Sequence, residues 1–460
     1  NSTAANRAIV VDGSAVTTDL AAGSEGDKYG VALDADNAKV YFYRNGSAIG
    51  STSGYSITDV GTGKYRFIIG VRGSTDYRGY WEANFGQNSS FAGNETKQNN
   101  GGEGEDFYYT PPTGYKALST ANLPNPTITK GTDYFNTILY TGNDTDDRTL
   151  TGVGFQPDWV WFKTRNEAAN WHTVFDSVRG VSKRIFPNDQ YQELTESDPN
   201  NSLVAFTSDG FTVDDSSGHS DLNASDHTYV AWNWKAGGSG STNTDGAEDT
   251  TVSVNTDAGF SIVTFTGTGS TTTYGHGLGA VPKIYITKSR GATGDWYAVT
   301  TLIDGSVDYL LLNSNAEIAH GSVTAPTDEV FYSGYGSGAT ALAYCFTPIA
   351  GYSALGTFKG NGSADGPFVY TGFRPAYIIH QKAQFSGGTA NWAVNDNKRG
   401  VNGAIGHLAP NDPLVESTGD YIDILSNGFK IRHSGYSNTN TYTYIYMAFA
   451  ESPFKYANAR

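Results

Sequence analysis

Apolar residues along this chain come in short alternating runs. Lys39-Val-Tyr-Phe-Tyr43, Asp158-Trp-Val-Trp-Phe162, Phe260-Ser-Ile-Val-Thr-Phe265 and Tyr442-Thr-Tyr-Ile-Tyr-Met447 are each bounded by Gly, Asn, Asp or Ser. Alternation places successive side chains on opposite faces of a pleated strand, and the flanking residues are turn formers. A helical period is nearly absent. The pattern predicts an all-β chain, a multi-domain series of tandem antiparallel β-sandwiches.

From about residue 133 the runs recur. The first copy reads Gly154-Phe-Gln-Pro-Asp-Trp-Val-Trp-Phe-Lys163, then Asn170-Trp-His-Thr-Val174. The second reads Gly279-Ala-Val-Pro-Lys-Ile-Tyr-Ile-Thr-Lys288, then Asp295-Trp-Tyr-Ala-Val299. The third reads Gly372-Phe-Arg-Pro-Ala-Tyr-Ile-Ile-His-Gln-Lys382, then Asn391-Trp-Ala-Val394. Each copy ends on a further apolar strand: Tyr229-Val-Ala-Trp-Asn-Trp234, Ala341-Leu-Ala-Tyr-Cys-Phe346 and Tyr444-Ile-Tyr-Met-Ala-Phe449. The proline fixes φ at the start of the strand that follows. Trp171, Trp296 and Trp392 hold the same place in the three motifs and are expected to cap the core; a surface platform is the other reading. Copies one and three also share a basic turn, Asp176-Ser-Val-Arg-Gly180 and Asn395-Asp-Asn-Lys-Arg-Gly400, read as a structural arginine with a local carboxylate partner.

The region before the repeats carries Gly26-Asp-Lys-Tyr-Gly-Val-Ala-Leu-Asp34, an Asp/Asn-rich hairpin link at Asp34-Ala-Asp-Asn37, and Lys39-Val-Tyr-Phe-Tyr-Arg-Asn-Gly46. Tyr80-Trp-Glu-Ala-Asn-Phe-Gly-Gln87 and Phe107-Tyr-Tyr-Thr-Pro-Pro-Thr-Gly-Tyr-Lys-Ala-Leu118 follow. This series resembles the C-terminal half of a SPRY domain. The resemblance implies a concanavalin-like sandwich that recognises peptides through loops at one end. The strands that open that family lie outside the match, so they are expected either to have been cut off or to come from a partner chain. The reading divides the chain into a SPRY-like sandwich at 1–118, a Pro-containing linker at 119–132, and β modules at 133–237, 249–350 and 351–460. Asn1 is not a methionine and the only Met is Met447, which suggests a processed or truncated product whose start lies upstream.

Composition narrows the partners. The chain has 460 residues, 30 Lys and Arg against 46 Asp and Glu, and a net charge of −16. Phosphate binding needs clustered basic residues, so nucleic acid is not an expected partner. An anionic membrane surface is disfavoured for the same reason, and neither a membrane span nor a signal peptide is read. Hydrophobic residues are only 38%, but 30 Tyr, 23 Phe and 8 Trp supply large half-buried side chains, and 56 Gly supply turns. The lone Cys345 lies in an apolar run and reads as a small core residue.

Candidate chemistry is sparse. Asn143-Asp-Thr-Asp-Asp147 is rich in oxygen ligands, so Asp144, Asp146 and Asp147 form a Ca²⁺ candidate, with an ordinary turn as the alternative. Cofactors are otherwise expected to be none. No Gly-x-Ser-x-Gly occurs, the eight His are scattered, and no His or Cys spacing suggests zinc, so no catalytic residue is assigned and no enzyme is expected. Exposed aromatics beside Asp, Asn and Gly suit sugar binding. Tyr77, Tyr80 and Trp81 in one loop and Tyr436 in another fit that description.

The repeats resemble a β-sandwich module of tailed-phage structural proteins, marine ones especially. The likeness rests on Gly259-Phe-Ser-Ile-Val-Thr-Phe-Thr-Gly267, on Gly275-His-Gly-Leu-Gly-Ala-Val-Pro282 and on the ending Met447-Ala-Phe-Ala-Glu-Ser-Pro-Phe-Lys-Tyr-Ala-Asn-Ala-Arg460. It implies a non-enzymatic virion structural protein, a tail or capsid fibre or surface appendage used for scaffolding and host attachment. The expected partners are itself, as a homotrimer, other virion proteins, and a host surface glycan or protein. The expected location is the virion surface, after synthesis in the host cytoplasm. The alternative is a secreted or cell-surface lectin-like protein.

Overall fold

A computed structural model describes residues 9–11, 14–17, 24–57, 82–101, 105–168, 170–195, 202–214, 222–383, 390–419, 421–435 and 437–457. The chain is all-β. Its strands pair antiparallel throughout, and the described residues hold no α-helix. Two compact units divide between Pro124 and Asn125.

In the first unit the strand Tyr29–Asp34 pairs with Lys39–Arg44, which also pairs with Ser47–Ile49 and Tyr55–Ser56. Asn45 and Gly46 both take positive φ, 52° and 79°, as a two-residue hairpin between right-twisted strands requires. Asp34 closes the other hairpin by accepting the Asn37 amide N–H at 3.0 Å. Val40, Phe42, Ile49, Tyr55 and Ile57 form a small core. Further along, the Asn84 carboxamide oxygen caps three successive N–H groups, of Gly86, Gln87 and Asn88. Gly86 has φ +98°, and a Cβ there would stand 2.5 Å from the Ala117 methyl. The Asn-Phe-Gly-Gln and Gly-Tyr-Lys-Ala-Leu motifs therefore meet in space because one of them offers only a backbone.

The second unit contains three sandwiches whose main sheets share one plan. In the first the strand order is Phe135–Thr141, Thr228–Trp234, Trp159–Thr164, Thr173–Asp176. In the third it is Ser353–Lys359, Thr443–Pro453, Phe373–Lys382, Ala393–Asp396. The second repeats the same four as Phe260–Thr266, Thr340–Phe346, Ile284–Ser289 and Tyr297–Thr300. It adds Thr250–Asn255 and Ser241–Asn243 at one edge, and Asp308–Leu311 and Ala319–His320 at the other. Each main sheet is covered on one face by a smaller sheet: Arg148–Thr151, Gly210–Val213 and Leu203–Thr207 in the first, Thr272–Gly275 and Val330–Ser333 in the second, Phe368–Tyr370, Gly428–Ile431 and Ile422–Leu425 in the third.

The central strands are buried on both faces, and the period of two decides where each residue goes. Val160, Phe162, Phe175 and Ala231 turn toward the first sandwich's own interior. Tyr285, Val299, Ala343 and Cys345 do the same in the second. The alternate residues, Trp159, Trp161, Trp232 and Trp234 of the first sandwich with Ile284, Ile286, Tyr344 and Phe346 of the second, turn into one cluster that also takes in Tyr377, Ile379, Met447 and Phe449 of the third. The three repeats are thus three sandwiches by their sheets and one body by their interior. Ile128, in the segment read as linker, is buried in the same cluster.

Candidate functional site: three seams around a shared core

The shared core begins as a stack of rings. Trp159 reaches Phe260 at 5.6 Å and Tyr344 at 4.6 Å, joining sandwiches one and two. Phe135 reaches Tyr377 at 5.3 Å and Phe449 at 5.6 Å, joining one and three. Phe346 and Phe449, 6.0 Å apart, join two and three. Such pairs add about 0.5–1.5 kcal/mol each beyond their buried area.

The strand ladders make position-by-position comparison possible. Val174 lies opposite Trp161, Ala298 opposite Ile286 and Val394 opposite Ile379, so these three are equivalent. Two residues before them stand His172, Trp296 and Trp392. Each of their backbone N–H groups donates to an asparagine side chain, Asn188, Asn313 and Asn411, at 2.8, 2.8 and 2.9 Å. Each ring then crosses to the neighbouring sandwich. Trp296 Nε1 donates to the Phe186 carbonyl at 2.7 Å, Trp392 Nε1 to that of Leu311 at 2.9 Å, and His172 Nε2 lies 3.0 Å from that of Ala409. The three acceptors are themselves equivalent, each two residues before its asparagine. Sandwich two thus reaches into one, one into three, and three into two. The contact is head-to-tail, and it closes after three steps.

Trp161 donates its indole N–H to His172 Nδ1 at 2.9 Å, which leaves the proton on Nε2 and makes His172 the donor to Ala409. Burial, then the charges of Lys163 and Arg399, hold this imidazole well below its ordinary pKa. The sequence motifs had aligned Trp171 with Trp296 and Trp392. The structure corrects this: His172 occupies that place, and half-buried Trp171 packs on Phe186 and Tyr191 beside it. The first motif has one more residue between its Trp and the ladder valine than the third has, so the tryptophans fall out of register.

The arginines of the basic turns lie in two of these seams. Arg179 pairs with Asp176 and, at 3.1 Å, with Glu193, which also binds Arg290 of the second sandwich at 2.8 Å. Arg399 pairs with Asp396 and, at 3.3 Å, with Glu416, which also binds Arg165 of the first. A donor from the neighbour's central strand completes each: Tyr344 Oη to Asp176 at 2.7 Å and Trp232 Nε1 to Asp396 at 2.9 Å. Burial opposes the charge on Arg179, but Asp176, Tyr344 and Glu193 outweigh it and push its pKa further up. Lys288 also crosses the first of these seams, donating to the Gln190 carbonyl at 2.8 Å, and burial draws its pKa down to about 8.

At the third seam the equivalent positions hold Thr300, Ile303, Ile318, Ala383 and Met447. The last four join the hydrophobic cluster. A cavity of about 20 Å³, lined only by apolar surface, lies here between Ala298 and Ile286 of the second sandwich and Ile379, Trp392 and Met447 of the third.

The other candidates fall as follows. Asp144, Asp146 and Asp147 are exposed on a turn in which Asp144 and Asp147 take positive φ, and Asp144 accepts the Ser225 N–H at 2.6 Å. The turn is closed by Asn223, whose Nδ2 donates to Asn143 Oδ1 at 3.1 Å and to the Thr145 carbonyl at 2.9 Å. In the third sandwich Asn438 closes Asn361-Gly-Ser-Ala-Asp365 through the same two bonds, at 2.8 and 2.7 Å. The turn is therefore accounted for by its amide clasp. Tyr77, Tyr80, Trp81 and Tyr436 lie outside the described residues. Cys345 is fully buried, and burial pushes its thiol pKa up, away from nucleophilic reactivity.

Residues 130–453 match the family described as a domain of unknown function (DUF7483). The match spans all three sandwiches, so the family's unit is the closed ring rather than the single repeat. No curated protein and no solved structure matches the chain.

Proposed function

The chain belongs to the DUF7483 family, and from that premise we propose that it is a non-enzymatic structural protein of a phage particle's surface, in a tail or capsid fibre or appendage that meets the host. The observation that carries this reading is the shared core. Three sandwiches that turn their large aromatics onto one another, with buried ion pairs between them, form a stiff body. Every one of the seam side chains that could do chemistry is committed to a neighbour: His172 to Trp161 and Ala409, Asp176 and Asp396 to their arginines. A rigid spacer is what such an interior serves. The likeness of the repeats to tailed-phage modules supplies the setting.

Self-association belongs to the proposal. The ring already presents a quasi-threefold, and a homotrimer of the whole chain would extend that symmetry along a fibre. Antibodies raised against the purified chain should decorate intact particles in immunogold micrographs, and light scattering should give three chains per assembly. Decoration of the bacterial surface in uninfected cells, with none on particles, would end the reading. Specific signals on a glycan array would then favour the lectin-like alternative.

A further inference from the structure

The seam network has a counterpart at the outer edge of the second sandwich. There the turn Asp304-Gly-Ser-Val-Asp308 leads into the strand Asp308–Leu311, which pairs with Ala319–His320. Asp304, Asp308 and His320 each offer a ligand atom, and these atoms all lie within 4.8 Å of one another. His320 Nδ1 stands 2.8 Å from Asp308 Oδ1. Ser306 Oγ is 2.6 Å from Asp304 Oδ1 and 3.4 Å from Asp308 Oδ1, and the Ser306 N–H donates to Asp304 at 2.9 Å.

Two observations outside this cluster of distances point to a cation-binding site. The first is the other oxygen of Asp308. Its side chain is fully buried, yet Oδ2 has no hydrogen-bond partner among the described residues. A buried carboxylate oxygen without a donor is costly, and buried charges are normally paired or metal-bound. The second is the repeat itself. Asp308 faces His320 across the ladder just as Lys183 faces Thr195 in the first sandwich, where the Lys183 ammonium binds the Thr195 hydroxyl at 2.7 Å. The first sandwich builds a positive charge into this place. The second replaces it with a carboxylate, adds another at Asp304, and puts an imidazole opposite.

We propose that Asp304, Asp308 and His320 bind a divalent transition-metal cation, Zn²⁺ or Mn²⁺ by the chemistry of two carboxylates and one imidazole. Asp308 is the fixed ligand, held by the sheet. Exposed Asp304 and His320 close onto the ion, which enters between His320 Nδ1 and Asp308 Oδ1. The gap of 2.8 Å between those atoms needs to open only slightly for metal–ligand bonds of about 2.0–2.2 Å. A bound cation would tie the turn to the outermost strand of the eight-stranded sheet.

The test uses the full, tag-free chain after dialysis against EDTA, titrated with ZnCl₂ and with MnCl₂ by calorimetry. The wild type should take up one equivalent of at least one of these cations, with a rise in melting temperature. His320→Ala and Asp304→Ala change exposed side chains and should fold; each should weaken binding roughly 10–100-fold or more and abolish the melting shift. Absence of binding to the wild type overturns the proposal. So does uptake that is unchanged in both variants, because other groups would then be the ligands.

Discussion

Two of the three seams are held by a buried arginine between two carboxylates, and the third holds none of these groups at the equivalent positions. The backbone plan is the same in all three, so the comparison isolates chemistry from geometry. Thr300 stands where Asp176 and Asp396 stand, and Met447 where Tyr344 and Trp232 donate to those acids. The donor is lost together with the acceptor. A buried ion pair contributes little net stability against an apolar replacement of similar volume, but half of one is very costly. The third seam shows the substitution carried through: the equivalent positions carry no charge, and the residual imperfection is a small apolar cavity.

The comparison can be broken most severely at one residue. Arg399→Ala leaves Asp396 and Glu416 facing each other in a buried site and should cost about 3–5 kcal/mol in urea or guanidinium unfolding. Removal of Ile303 by the same change should cost less, about 2–4 kcal/mol, since only packing is lost. Acid acts on the third sandwich through two buried imidazoles. Burial, then His407, brings His380 from 6.5 to about 4, and burial, then Arg399, does the same to His407. The unfolded chain takes these protons first, so stability is complete above about pH 6.5 and falls as pH drops toward about 4. Each ring accounts for about 3 kcal/mol at most. His380→Phe, the residue type at the equivalent Phe162, should flatten the pH profile of the unfolding midpoint.

A gain is expected from importing the third seam into the first. Asp176→Thr, Arg179→Ile, Glu193→Ile, Arg290→Ala and Tyr344→Met made together should be neutral or stabilise by up to about 4 kcal/mol. Marked destabilisation would mean that the charged seams do more than fill space. The smallest effect is at the cavity. Ala298 is equivalent to Val174 and Val394, so Ala298→Val fills it with the repeat's own residue. At about 24 cal/mol per Å³ this gives about 0.5 kcal/mol, read as a small upward shift in melting temperature.

The all-β class and the central strands were legible because alternation and bounding turn residues are local. So was the pairing of Arg179 and Arg399 with nearby acids, three residues away in each turn. The shared core was not. Alternating burial on both faces is the same sequence pattern whether the second face meets a covering sheet or another repeat. The partners that settle it are far off: Arg165 meets Glu416 across 251 residues and His172 meets Ala409 across 237. The equivalence of His172 with two tryptophans was hidden as well, since it is defined by ladder register and not by residue type. The Asp304, Asp308 and His320 grouping left no motif at all, because a strand pairing creates it.

The ring also has a direction in time. A ribosome makes the first sandwich's Trp232 and Arg165 long before it makes Asp396 and Glu416, the groups that receive them. Until the last long strand, Thr443–Pro453, is released, Met447 and Phe449 are missing and the aromatic faces that the first two sandwiches turn toward the third stand open. Such late, distant closure makes folding slow and exposes the nascent chain to aggregation. Loss of the strand Thr443–Pro453 would therefore remove not an edge of the third sandwich but a central strand that the shared core is built on.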